Sequence, residues 1–446
     1  MMTIQHADGC FFAKLFSHLT LFRDSFSGVL SKKTCKKFCY TPKTYKENPF
    51  FFIYLTKHVK KTGKTCYICV KESKIMYAIP TLPLKYDLET KKVLKQVALS
   101  SRALAELKGA VLSMPNTSIL ISTLSLQEAK DSSAVESIIT THDELYRASI
   151  TKSSNISPAA KEVQDYSAAL IYGYERVRER GLLSNNDIIE IYRRIKHNQA
   201  GFRDTPGTTL RNNLTGEIVY QPPQHNDEIV SFMTNLEQFI NTETLSDLDP
   251  LIKMCVIHHQ FESIHPFSDG NGRTGRVVNI LYLVLQKLLD YPVLYLSRYI
   301  IKNKTKYYYW LQAVRDDSEC WEGWILFLLK GIEETAKETV KLVLNMKQLM
   351  MEYKHLIRKK LPKVYSQDLL NNLFRHPYTK IDFVADELQV SRPTATSYLN
   401  QLADIGMVTK TKLGRDNFYI NERLFNLLMN AFHYEQIEEK RLIRTE

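Results

Sequence analysis

Between residues 85 and 350 apolar side chains recur at the three- and four-residue spacing that puts one stripe of a helix against a core. Asp87 is placed to cap the first such run, in which Leu88, Val93, Leu94, Val97, Leu104, Ala105 and Leu107 share a helical period. The same period returns over residues 188–197, 228–240, 251–262, 276–289 and 324–349. One stretch breaks it. Residues 208–223 set Leu-Thr-Gly-Glu between two β-prone arms and stop at Pro222-Pro223, which predicts a hairpin: either a flap over a site or a plain surface loop. The expected fold class is therefore mainly α, an all-helical core carrying one β-hairpin flap.

The pattern changes after residue 364. Ile381-Asp-Phe-Val-Ala-Asp-Glu-Leu reads as a short helix, and Val390-Ser391-Arg392-Pro393 as a turn and cap. Residues 394–405 form a second helix closed by Gly406, and residues 407–420 read strand, Gly-centred turn, strand. Helix, turn, helix and hairpin outline a C-terminal winged-helix domain of α+β type. The expected organisation is an atypical basic extension at 1–75, not native if Met76 is the natural start; an N-terminal helical region at 76–160; a core at 161–350; and the winged helix at 351–446.

Charge sharpens this division. The net charge is +12, but fourteen Lys and Arg face four Asp and Glu within residues 1–75, so that segment holds ten of the twelve charges. The remainder is nearly balanced, which weakens any argument from charge for nucleic-acid binding by the rest of the chain. Cys10, Cys35, Cys39, Cys66 and Cys69 also fall in the first 75 residues. The spacings of Cys35 with Cys39 and of Cys66 with Cys69 suit zinc, or are those of unpaired thiols. No apolar run is long enough to span a bilayer, and Lys14, His18, Arg23 and Asp24 interrupt the early phenylalanines, so a cytoplasmic location is expected.

The densest chemistry lies at residues 265–276, His-Pro-Phe-Ser-Asp-Gly-Asn-Gly-Arg-Thr-Gly-Arg. His265 is a base near neutral pH. Asp269 is a hard oxygen ligand suited to Mg²⁺ that also holds phosphate oxygens. Gly270, Asn271 and Gly272 allow a tight turn and bare N–H groups, and the apolar helical pattern resumes at Val277, so the turn should open a helix where anions are favoured. Arg273 and Arg276 share one face of its first turn, and phosphates match them in charge and geometry. A base, a metal carboxylate, an anion nest and two arginines describe phosphoryl or nucleotidyl transfer.

This loop, with Phe261-Glu262-x-Ile264 ahead of it, resembles the signature of Fic-domain proteins, and the likeness extends over roughly residues 80–345. The resemblance implies that the chain is a protein adenylyltransferase using ATP and Mg²⁺. His265 would deprotonate a Ser, Thr or Tyr hydroxyl of a target protein, and that hydroxyl would attack the α-phosphate of ATP, leaving AMP on the target. Asp269 would hold Mg²⁺. Gly270 to Gly272 would supply the anion hole, Asn271 would anchor the loop, Arg273 would bind the β-phosphate region and Arg276 the γ-phosphate. Thr274 and Gly275 complete the nucleotide-binding set, and Phe267 would pack beneath the loop. Gly272 stands where a kinase-like branch of the family has Lys, which favours AMP transfer; a hydrolase removing AMP would use the same residues. Tyr308 falls at the position of an adenine-side contact. Dimerisation is common in the family, so a homodimer joins the protein substrate among expected partners.

Residues 132–136, Ser-Ser-Ala-Val-Glu, put Ser132 and Glu136 four apart on one helical face. The family's inhibitory helix carries Ser/Thr-x-x-x-Glu followed by Gly or Asn, so the resemblance implies that Glu136 pairs with Arg276, displaces the γ-phosphate and inhibits the enzyme. Ser137 departs from that pattern. A rival reading makes the chain a DNA-binding regulator, with Thr394, Thr396, Ser397, Asn400 and Gln401 on a recognition helix and Lys410, Lys412 and Arg415 on the wing. The recognition helix has no Lys or Arg after Arg392, a thin footprint for DNA.

Overall fold

The computed structural model describes residues 54–57, 68–71, 77–150, 156–211, 215–413 and 416–430. The chain divides into two units, Met1–Ile75 and Met76–Glu446. In the first, β1 (Tyr54–Lys57) and β2 (Ile68–Lys71) pair antiparallel. The cysteine spacings of this segment lie outside the described residues, apart from Cys69 on the backbone of β2.

The second unit begins with α1 (Lys91–Leu112), α2 (Thr117–Val135) and α3 (His142–Ile150). The first helix starts later than the cap assigned to Asp87. Thr90 is the cap, its hydroxyl accepting from Val93 N–H at 3.3 Å, while Asp87 closes a local turn onto Glu89 N–H at 3.0 Å. The Thr90 hydroxyl donates to Glu322 at 2.7 Å, a distant partner that decides between two chemically adequate caps. Then come α4 (Pro158–Arg180), capped by Ser157 and closed by Gly181 at φ +65°, and α5 (Asn185–Lys196), opened by a Ser184–Asp187 capping box.

The hairpin follows as β3 (Leu210–Arg211) and β4 (Ile218–Tyr220), short strands with a register irregularity. After α6 (Asn226–Asn241) come the two helices at the centre of the bundle, α7 (Pro250–Ile264) and α8 (Asn271–Leu285). Every residue of α7 from Leu251 to Ile264 is buried, the polar Lys253, His258, His259, Gln260, Glu262 and Ser263 included. Next are α9 (Leu296–Lys302), α10 (Lys304–Asp316) and α11 (Trp321–Lys360). At 40 residues α11 spans about 60 Å. It runs in the same direction as α1: Thr90 meets Glu322, and further along Gln96 meets Glu333 at 2.8 Å. Trp324 locks it to the core, fully buried, donating from Nε1 to Cys255 O at 2.9 Å and stacking on His258.

Beyond α11 lie α12 (Gln367–Arg375), β5 (Tyr378–Lys380), α13 (Ile381–Leu388), α14 (Arg392–Asp404), β6 (Thr409–Leu413), β7 (Asp416–Ile420) and α15 (Glu422–Asn430). The strands form one antiparallel sheet in the order β5-β7-β6. The helix–turn–helix and hairpin follow the element order expected of a winged helix; the sequence pattern did not disclose β5, which adds a third strand. Tyr353 of α11 donates to Asn421 at 2.8 Å and Met407 O at 3.0 Å, so the long helix carries this segment. The same segment touches the N-terminal helices: Arg375 donates to Ser118 at 3.3 Å, Tyr378 donates to Asp143 at 2.6 Å, and Tyr146 stacks on Tyr378.

Trp324→Ala removes a large, fully buried ring and leaves Cys255 O without its donor. A loss of about 3–5 kcal/mol in unfolding free energy is expected, checked by urea denaturation.

Candidate functional site

The candidate catalytic histidine caps α7. His265 takes a left-handed conformation, φ +51° and ψ +57°, with its N–H bonded to Phe261 O at 2.9 Å. That backbone costs a non-glycine residue about 1 kcal/mol or more, and its neighbours hold it there. Arg203 donates from Nε to His265 O at 2.9 Å, and Arg203 N–H bonds Pro266 O at 2.8 Å. The other arm of the Arg203 guanidinium bonds Pro223 O, so one side chain ties the base of the flap to the loop. Arg315 donates to Ser263 Oγ and Glu262 O, both at 3.1 Å, and lies over the Tyr220 ring. Burial, then the charges of Arg315 and Arg203, hold the His265 imidazole down to about 3. It is neutral at physiological pH with a lone pair available.

The anion nest forms where α8 begins. Gly270 is its cap at φ +77°, a left-handed residue that only glycine adopts without cost. Asn271 fixes the approach to it: Oδ1 accepts from Phe267 N–H at 2.8 Å and Nδ2 donates to Phe267 O at 2.7 Å. Phe267 stacks on Tyr192 at 3.9 Å beneath the loop. Thr274 is buried and donates to Gly270 O at 3.0 Å, and a Cβ on Gly275 would stand 2.9 Å from Phe261. Thr274 and Gly275 therefore shape and pack the turn.

Every charged residue of the loop is already engaged. Asp269 accepts from Lys196 Nζ at 2.6 Å and from Gly270 N–H. Burial pushes its carboxyl up, but Lys196 and that N–H outweigh burial and leave it lowered, hence ionised. Arg273 pairs with Glu162 of α4 at 2.6 Å. Arg276 donates from Nε to Ser132 Oγ at 2.8 Å and from NH2 to Ser132 O and Glu136 Oε1, both at 2.9 Å. A Cβ placed on Gly272 would come within 2.3 Å of Glu136 Oε1, so that carboxylate lies over the nest itself. Glu262, one turn before His265, is buried with Oε1 lacking a hydrogen-bond partner among the described residues; burial raises its carboxyl to about 7.

Ser132 and Glu136 hang from the end of α2, which stops at Val135 with Glu136 as its cap. The helix is pinned from behind by Glu128, which accepts from Tyr166 at 3.2 Å and from Ser297 N–H at 3.1 Å. Ser137, the residue that departs from Gly or Asn, stands at φ +66°. The position demands a left-handed turn, for which Gly and Asn are suited and serine is not. Tyr308 lies half-exposed on α10, and burial pushes its phenol up, with Glu136 adding to the effect. Glu162, Lys196, Arg203 and Arg315 escape a reading of the sequence. Glu162 and Lys196 sit on helix faces that pattern treats as solvated, and meet their partners across 111 and 73 residues.

Three family models match consecutive parts of the chain: Fic/DOC family N-terminal at residues 94–175, Fic/DOC family at 182–283, and protein adenylyltransferase SoFic-like, C-terminal domain, at 349–424. The protein adenylyltransferase Fic of Drosophila erecta is 30% identical over 159 residues, covering 35% of this chain and 29% of the relative; that of Drosophila ananassae is 27% identical over 184 residues, covering 41% and 34%. The chain thus spans about a third of the length of these curated relatives. A Fic family protein from Desulfovibrio desulfuricans G20, known by crystal structure, aligns over 75% of this chain and 97% of its own at 19% identity, with a TM-score of 0.48. Among the described residues no helix is long and apolar enough to cross a membrane.

His258 offers a pH test of the buried site. It is fully buried, bonded to the Tyr307 hydroxyl at 2.9 Å, and burial with the Arg276 charge depresses it to about 3. The unfolded imidazole takes up a proton near 6.5. The unfolded state therefore binds more protons between these values, and this residue's share of stability is lost as pH falls from 6.5 toward 3. His258→Gln should lose less stability over that window than the parent, by up to about 1.4 kcal/mol per pH unit, read from urea midpoints at each pH.

Proposed function

The chain belongs to the Fic-domain family, and we propose that it transfers AMP from ATP to a Ser, Thr or Tyr hydroxyl of a protein substrate, restrained by Glu136. The observation that carries this reading is the convergence, around one helix start, of a neutral histidine, an ionised aspartate, a glycine-rich turn and two buried arginines. That set fits a magnesium polyphosphate. The arginines are buried beside backbone N–H groups at a positive helix end, and Arg273 Nε has no partner among the described residues.

In this reading the target hydroxyl attacks the α-phosphorus of ATP and pyrophosphate departs. His265 takes the hydroxyl proton. Its depressed basicity comes partly from Arg315 and Arg203, and the negative charge of a bound polyphosphate opposes them, raising the imidazole toward a working range. Asp269 would hold Mg²⁺, which neutralises phosphate charge, and Lys196 must then yield its place on Oδ2. The nest of Gly270 to Gly272 and Arg273 would hold the phosphates nearest the reaction, and Arg276 the γ-phosphate. Glu136 occupies both the Arg276 guanidinium and the space over Gly272, so a fully seated triphosphate requires its departure. The base of the flap, tied to the loop through Arg203, offers an edge for an extended target segment. Removal of AMP by the same residues is the second direction open to the site.

Incubation with ATP and Mg²⁺ followed by intact mass should show a gain of one AMP. Glu136→Gly should raise the rate about tenfold or more, since it frees Arg276 from a charge-assisted bond. His265→Ala should abolish the gain. A flat response to Glu136→Gly, with His265→Ala still inactive, removes the restraint from this account and leaves the transfer chemistry standing.

A further inference from the structure

Both arginines of the loop are bound to carboxylates, and the two pairs differ in where the carboxylate sits. Glu136 lies over the nest: its Oε1 would be 2.3 Å from a Cβ on Gly272. The atoms nearest a Cβ on Gly270 or Gly272 come from Lys196, Arg273, Arg276 and Glu136, none from Glu162. Arg273 NH2 is 3.8 Å from the Gly270 position, so the guanidinium turns back over the nest while Glu162 grips NH1 at 2.6 Å from outside. The Arg273 side chain is 2% exposed, and its Nε is buried with no partner among the described residues.

We propose that Glu162 is a positioning residue for Arg273, holding its guanidinium ready for the phosphate next to the transferred one, in opposition to the restraint exerted by Glu136. The inference rests on the nucleotide reading above. An unheld arginine of this length must lose several rotors when it binds phosphate; one already fixed loses little, so the ion pair favours binding by preorganisation. Glu162 lies just past the first turn of α4, whose start is fixed by the Ser157 cap and Pro158. Three residues on, Asp165 meets His197 at 2.6 Å, next to the Lys196 that holds Asp269. One face of α4 thus braces the metal side and the phosphate side of the loop together.

The test uses the full chain with Glu136→Gly as parent, and calorimetric titration with Mg-ADP and with AMP. Adding Glu162→Ala should weaken ADP binding about tenfold and leave AMP, which has no β-phosphate, unchanged; Glu162→Asp should restore part of the loss. ADP binding that is unchanged or tighter in Glu162→Ala would show that Glu162 is idle or a second competitor, and would overturn the proposal. Equal weakening of ADP and AMP would also overturn it, marking a merely structural role. Glu162→Gln, which keeps the side-chain shape, repeats the measurement if the alanine variant fails to fold. A parent that binds neither nucleotide sinks the nucleotide reading itself, a result distinct from an effect confined to the Glu162 variants.

Discussion

Two guanidiniums, each 2% exposed, are buried in the first turn and a half of a helix whose free N–H groups already make that end positive. Burying unpaired charge in such a place is prohibitive, so the fold must deliver anions to it. It draws them from two separate helices, Glu136 from the end of α2 and Glu162 from the start of α4. Much of the arrangement around the loop follows from satisfying this constraint. The helix that ends in Glu136 must stop against α8, and α4 must present its second turn, with Glu162, to the same helix.

The two anions are not equivalent in their attachment. Glu136 sits at a helix end, just before a serine forced into a left-handed turn. Glu162 belongs to the body of a 23-residue helix whose capped start is fixed. Mobility is thus expected of the first and rigidity of the second. Further back α2 is firmly held: Glu128 joins it to α4 and α9, and Arg375 of α12 touches its first turn. Tyr378 reaches Asp143 just past the turn that follows Glu136. The segment that bears Glu136 is therefore flanked on both sides by the C-terminal part of the chain, and its tip is held through Arg276.

The parts of this site that were legible in the sequence are those whose chemistry is local. His265, Asp269, the Gly-Asn-Gly turn and the two arginines lie within twelve residues, and a helix start dictates how they face one another. The pairing of Glu136 with Arg276 followed from likeness to a family rather than from pattern, because the partners are 140 residues apart; the bonds from Arg276 to Ser132 were not foreseen. Glu162 and Lys196 were illegible for the same reason and had no motif to announce them. Helix existence was read well and helix limits less so. Thr90 replaced Asp87 as a cap because of a bond to Glu322 that sequence spacing cannot reveal. Strand β5 is three residues long and buried by α12 and α13, too short for an alternating pattern to show.

The strain at His265 is a consequence of the same geometry. A histidine in a left-handed cap is costly, yet the turn from α7 into the loop has to place an imidazole beside the nest rather than along the helix axis. The structure meets the cost with bonds from Arg203 and Arg315 to the backbone and side chains of the turn, and burial, with those two cations adding to it, keeps the imidazole neutral. Holding the base in position and setting its protonation state are therefore one device. Because Arg203 also bonds Pro223 at the base of the flap, the hairpin that would receive a substrate segment is mechanically tied to the residue that would accept its proton.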